Sequence, residues 1–139
     1  MITRTASAAW TNGIKDGSGT LSSESGVLDE TPYSFHTRFE DQPGTNPEEL
    51  IGAAHAGCYS MALSKVLGDG GMTPERIDTR ATVYLDMEGG PSISRVHLET
   101  KIRAAGDEAD ILAAAEAAKD GCPVSKVLKA EITLDASVV

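Results

Sequence analysis

Apolar residues change their spacing several times along this chain of 139 residues. Between Ile2 and Trp10 they occupy alternate positions, Ile2, Ala6, Ala8 and Trp10, with Arg4 as the exception. A period of two belongs to a strand with one covered face. Asn12-Gly13 reads as a turn. Residues 15 to 32 are rich in Gly, Ser and acids and hold only brief apolar pairs such as Val27-Leu28, which predicts short strands joined by loops. Tyr33 to Arg38 reads as a further strand. Gln42-Pro43-Gly44-Thr45-Asn46-Pro47 then breaks the pattern, because proline donates no ladder hydrogen bond and glycine permits a positive φ.

A helix is predicted from Pro47 to about Leu67. Asn46 is a favourable N-cap, Pro47 suits the first helical position, and Glu48 and Glu49 complement the positive end of the helix dipole. From Leu50 to Leu63 the only ionisable side chains are those of His55, Cys58 and Tyr59, so the helix is apolar all round, and such a helix is expected to be buried. Gly52, Ala53, Ala54, Ala56 and Gly57 would let a second helix cross closely, offsetting the ~1 kcal/mol that each helical glycine costs relative to alanine.

Residues 77 to 87 alternate almost without fault, with Ile77, Ala81, Val83, Leu85 and Met87 on one side, and after Gly89-Gly90-Pro91 so do Val96, Leu98, Ile102 and Ala104. The pair predicts an antiparallel hairpin. Asp107 to Lys119 is an Ala-rich helix with acids in its first turn and Gly121 beyond its end. Cys122-Pro123 opens a short helical stretch to about Leu128, and Ile132, Leu134, Ala136 and Val138 alternate as a last strand. The order is α+β, and the length suits one domain, residues 1–139.

Composition narrows the function. Twelve Lys and Arg against 21 Asp and Glu give a net charge of −9, which repels phosphate backbones and anionic lipid and argues against nucleic-acid or membrane partners. Only 4% of residues are aromatic, so no base-stacking platform is expected. The N-terminus lacks the basic-then-apolar order of a signal peptide, which suggests a cytoplasmic protein. In that reducing compartment the two cysteines, Cys58 and Cys122, read as redox-active or inert more readily than as a structural disulfide.

From the residues alone, several chemistries stay open. The thiols could form a redox pair, in which one is oxidised to sulfenic acid and the other captures it, or they could be small buried hydrophobes. His55 and Cys58 share a helical face at i, i+3, and Cys122 could complete a metal site, yet zinc normally takes three or four such ligands and neither a Cys-x-x-Cys nor a second nearby histidine is present. His55 reads more simply as a core histidine. A thiol needs a cation to lower its pKa from about 8.5. Arg38, between Phe35 and Phe39 and followed by Glu40, is the candidate, with a surface pairing to Glu40 or Asp41 as its simpler explanation. Glu48 and Glu49 are equally explained as first-turn helix acids.

The run Thr45-Asn46-Pro47-Glu48-Glu49-Leu50-Ile51-Gly52-Ala53-Ala54-His55-Ala56-Gly57-Cys58-Tyr59-Ser60-Met61 resembles the signature of the OsmC/Ohr family of thiol-dependent peroxidases. Gly121-Cys122-Pro123-Val124-Ser125 resembles the segment around that family's second cysteine. The element order agrees over essentially the whole chain. His-Ala-Gly-Cys and Arg38-Phe39-Glu40 point to the OsmC branch, since in the Ohr branch the arginine comes from an earlier strand and a tyrosine stands in place of His55. The resemblance implies antiparallel sheets around long buried central helices in an intertwined homodimer. It implies reduction of organic hydroperoxides without metal, haem or flavin. Cys58 would be the peroxidatic thiol and Cys122 the resolving one; Arg38 would stabilise the thiolate and orient the peroxide, and Glu48 would hold Arg38. A dithiol reductant such as a lipoyl protein is implied by the Ohr branch.

Glu48 and Cys58 lie ten residues apart, about 15 Å along one helix, so they cannot touch within it. An antiparallel crossing of two copies near Ala53 would bring Glu48 of one chain beside Cys58 of the other. Apolar walls from Leu50, Ile51, Tyr59, Met61 and Phe39 would favour organic over hydrogen peroxide. The competing function is a noncatalytic stress or ligand-binding dimer with incidental thiols.

Overall fold

A computed structural model describes residues 1–139, which divide into two compact units, Met1–Leu50 and Ile51–Val139. The first holds strands β1 (Ala6–Thr11), β2 (Ser18–Ser23) and β3 (Thr31–Tyr33) and the short helix α1 (Phe35–Phe39). Its sheet is antiparallel in the order β1-β2-β3. Gly19 pairs with Trp10 on one side and Tyr33 on the other. A Cβ there would lie 2.5 Å from Tyr33 and 2.6 Å from Trp10, so the two rings, 5.5 Å apart, require glycine between them. All of β1 is exposed, so the covered face expected for it is not supplied by this chain.

The strand expected over Tyr33 to Arg38 ends at Tyr33 and gives way to α1. Ser34 and Thr37 explain the change: the Thr37 N–H donates to the Ser34 hydroxyl at 3.2 Å, and the Ser34 N–H donates to the Thr37 hydroxyl at 2.9 Å. This reciprocal capping box satisfies two backbone donors that a strand edge would leave open.

Helix α2 (Pro47–Asp69) starts as predicted, with the Glu49 N–H donating to the Asn46 side chain at 2.8 Å. Within the second unit, His55, Tyr59, Leu63 and Leu67 recur every fourth residue and are fully buried. The opposite face departs from expectation: Ala53, Ala54 and Gly57 are exposed, and Met61 is 78% exposed. One chain therefore covers only one side of an all-apolar helix. Gly52 is buried against Val83 and the Ala81 carbonyl of the same chain, where an added Cβ would make only ordinary contacts of 3.4 and 3.6 Å.

Strands β4 (Pro74–Asp86) and β5 (Ser92–Ala104) form the predicted antiparallel hairpin, with Ile77 opposite Ile102 and Ala81 opposite Leu98. Helices α3 (Glu108–Gly121) and α4 (Pro123–Val127) lead to β6 (Glu131–Val138). The sheet order is β4-β5-β6, and β6 runs parallel to β5. Beside the expected antiparallel pairing this makes the second sheet mixed; the helical crossover is long enough to return the chain in the same direction. Val96, Leu98 and Ile102 of β5 and Ile111, Ala114, Ala115 and Ala118 of α3 join the buried α2 residues in one core. No helix is long and apolar enough to cross a membrane.

Candidate active site

Arg38 and Glu48 meet within the first unit. The Arg38 Nε donates to both Glu48 oxygens at 3.1 and 3.3 Å, and Nη2 donates to Oε1 at 2.8 Å. Glu48 is buried while Arg38 keeps an open edge, so the carboxylate fixes the guanidinium without enclosing it. Asn46 contributes indirectly: its amide donates to the Thr37 carbonyl at 3.3 Å, joining the end of α1 to the start of α2. Arg38 borders a cleft of about 270 Å³ whose other walls include Trp10, Ile14, Tyr33, Phe35 and Phe39. Its guanidinium lies 5.1 Å from the centre of the Phe39 ring. Most of the chain's few aromatic side chains are thus gathered around one cation. Sequence reasoning noticed the two phenylalanines flanking Arg38 but not Trp10 and Tyr33, which only the strand register brings there.

Cys58 and Cys122 meet within the second unit. Both are free thiols, and their sulfurs share a hydrogen bond at 2.9 Å, well outside the ~2.05 Å of a disulfide. Cys58 is carried by the covered side of α2. Cys122 ends α3, its N–H donating to the Ala118 carbonyl at 3.0 Å, and Pro123 holds it extended, because the residue before proline is steered from helical geometry. Burial pushes the Cys58 pKa above that of an ordinary thiol. The hydrogen bond with Cys122, and the repulsion between the two sulfurs once charged, raise it further, while the Val124 backbone N–H works in the other direction. In this arrangement Cys58 is a protonated thiol at neutral pH.

The structure therefore joins the four candidate residues as two pairs, one in each unit. His55 is fully buried, and its Nε2 lies 2.7 Å from the Ser125 hydroxyl. Its pKa is lowered by burial, and its Nδ1 has no partner. No group of three or more metal-ligating side chains converges around it. Two of the expected apolar walls are placed otherwise. Tyr59 is a core residue whose hydroxyl donates to the Ala115 carbonyl at 3.0 Å, and Met61 points to solvent. Phe39 does line the cleft beside Arg38.

An α+β chain carrying two adjacent free thiols and an arginine clamped by a carboxylate is built for thiol redox chemistry. The family model described as OsmC-like protein matches residues 39–137. Over 136 residues the chain is 54% identical to Peroxiredoxin OsmC of Escherichia coli (strain K12), covering 96% of this chain and 95% of that one. It is 42% identical over 48 residues to Organic hydroperoxide resistance protein OhrB of Bacillus subtilis (strain 168), a stretch covering 34% of this chain and 35% of that one. Its fold matches the crystal structure of an organic hydroperoxide resistance protein from Elizabethkingia anophelis with a TM-score of 0.80 at 24% identity, over 100% of this chain and 98% of that one. The chain belongs to the OsmC-like protein family, and its long match lies on the OsmC side.

Proposed function

We propose that the protein is a cysteine-based peroxidase that reduces organic hydroperoxides to alcohols. The observation that carries this reading is the contact of two free thiols from distant parts of the chain; the relatives' names, Peroxiredoxin OsmC and organic hydroperoxide resistance protein, agree with it. The Cys58 thiolate attacks the distal peroxide oxygen, the O–O bond breaks, and the alkoxide takes a proton and leaves as the alcohol. Cys58 is then a sulfenic acid. Cys122 attacks its sulfur, forming the disulfide and releasing water. A dithiol such as a lipoyl protein returns both cysteines to thiols, and the cytoplasm, which keeps thiols reduced, suits this cycle.

Arg38 is assigned the stabilisation of the thiolate and the alignment of the peroxide, with Glu48 as its positioning residue. The raised pKa of Cys58 makes such a cation necessary. The ten-residue spacing of Glu48 and Cys58 on α2 favours service across a homodimer, in which the exposed Ala53, Ala54, Gly57 and Met61 face the partner's helix. The two compact units would then form a single domain in the assembled dimer.

The same raised pKa favours the competing reading, a noncatalytic ligand-binding dimer with slow thiols. Stopped-flow mixing with cumene hydroperoxide decides between them. The peroxidase loses two thiols per chain rapidly and stoichiometrically, whereas slow, partial loss supports the binder and overturns the assignment.

A further inference from the structure

His55 and Ser125 have no part in the proposed chemistry, yet they make the one side-chain hydrogen bond between α2 and α4 that does not end on the Cys58 sulfur, while the Tyr59 hydroxyl on the Ala115 carbonyl ties α2 to α3 upstream of Cys122. The two contacts form a ladder. His55 and Cys58 are separated by one helical turn on α2; Ser125 follows Cys122 by the same interval, and the Lys126 N–H closes that turn on the Cys122 carbonyl at 3.1 Å. One rung is sulfur to sulfur at 2.9 Å, and the other is His55 Nε2 to Ser125 Oγ at 2.7 Å. With His55 Nδ1 unpartnered, the bond to Ser125 is the whole of its hydrogen bonding, and it is made on a side chain buried completely.

Helix α4 gives the second rung its importance. It spans five residues, none of them buried, and a helix of that length does not hold itself together in water. Its polar attachments to α2 are the thiol contact, the Val124 N–H that faces the Cys58 sulfur, and the Ser125 hydroxyl. The first two end on the Cys58 sulfur, the atom that gains an oxygen, loses it and forms a new covalent bond in each cycle. Only the His55–Ser125 bond is independent of the oxidation state of Cys58.

We propose that His55 and Ser125 are positioning residues for resolution, a latch that keeps Cys122 within reach while Cys58 is a sulfenic acid. This rests on the peroxidase reading above. The step served is attack of the Cys122 sulfur on the Cys58 sulfur. The S–O bond breaks as the S–S bond forms, the Cys122 thiol proton leaves with the hydroxyl as water, and Cys122 is oxidised as the sulfenic sulfur is reduced. The latch acts on the distance between the sulfurs and leaves the first attack on peroxide alone.

Ser125→Ala tests the latch at a half-buried position by removing only the hydroxyl, and Ser125→Thr restores it. In a glutathione redox buffer, without peroxide, the effective concentration of Cys122 toward Cys58 should fall about tenfold in Ser125→Ala, the equilibrium worth of one hydrogen bond, and recover in Ser125→Thr. In single-turnover mixing with cumene hydroperoxide, sulfenic acid formation should match the parent while disulfide formation slows by about the same factor. Dimedone-trapped and sulfinic Cys58 should accumulate in step. Unchanged disulfide formation in both arms overturns the latch, as does equal slowing of both steps. A parent protein that equilibrates with glutathione but ignores peroxide overturns the peroxidase reading instead, and the first arm still judges the latch.

Discussion

The two candidate pairs live in opposite surroundings. Arg38 and Glu48 are charged, joined by three hydrogen bonds, and open on the arginine side beside aromatic rings. Cys58 and Cys122 are free thiols, Cys122 within the apolar core and Cys58 packed against it. Burial that aligns the two sulfurs also opposes ionising Cys58, while a carboxylate that aims a guanidinium leaves it a cation. On the proposed mechanism, positioning and activation are separate tasks for separate parts of the chain. A peroxidase needs both.

The sharpest way to break that division is at the thiols. Cys58→Ser should abolish peroxide consumption in a coupled assay, and Cys122→Ser should allow one turnover and leave Cys58 as a sulfenic acid that dimedone traps. Next is the charged pair. Arg38→Ala should lower kcat/KM about 10²–10³-fold, the usual cost of removing an electrostatic stabiliser, with little change in melting temperature because the side chain is partly exposed. Arg38→Lys should recover only part of the loss, since an ammonium lacks the fork that Glu48 holds. Leu63→Ala probes the other side of the comparison: a fully buried position on α2 should cost about 2–5 kcal/mol of stability in urea titration, without abolishing turnover of the folded fraction.

Two smaller effects concern protons. Cys122→Ala removes a hydrogen bond and a like charge that both raise the Cys58 pKa, so the pH profile of iodoacetamide alkylation should move to lower pH. His55 is held neutral by burial, so its folded pKa lies below the unfolded value. The unfolded chain therefore binds the extra proton first, and stability should decline as pH falls below about 6.5; His55→Gln should flatten that part of the curve in urea titrations.

Local chemistry was legible where neighbours in sequence decide the structure. Asn46, Pro47 and Glu48 announce the start of α2, and the alternation on either side of Gly89-Gly90-Pro91 announces the hairpin. Tyr33 to Arg38 reads as a strand from its apolar spacing, while the deciding signal beyond Tyr33 is the Ser34–Thr37 capping box. The covered and open faces of α2 could not be separated, since hydropathy records that a residue is apolar and not which element covers it. Cys58 and Cys122 were legible as a pair through the family signature. Ser125 was not legible as the partner of His55, because no pattern local to either residue points across the 70 positions between them.

The most direct measurement is a single-turnover titration of the fully reduced protein with cumene hydroperoxide, following thiols and alcohol together. One equivalent of peroxide per chain should yield one equivalent of alcohol, consume both thiols and leave a Cys58–Cys122 disulfide by peptide mapping. Alcohol formed while both thiols persist, or thiols lost without stoichiometric alcohol, would contradict a peroxidase built on this pair.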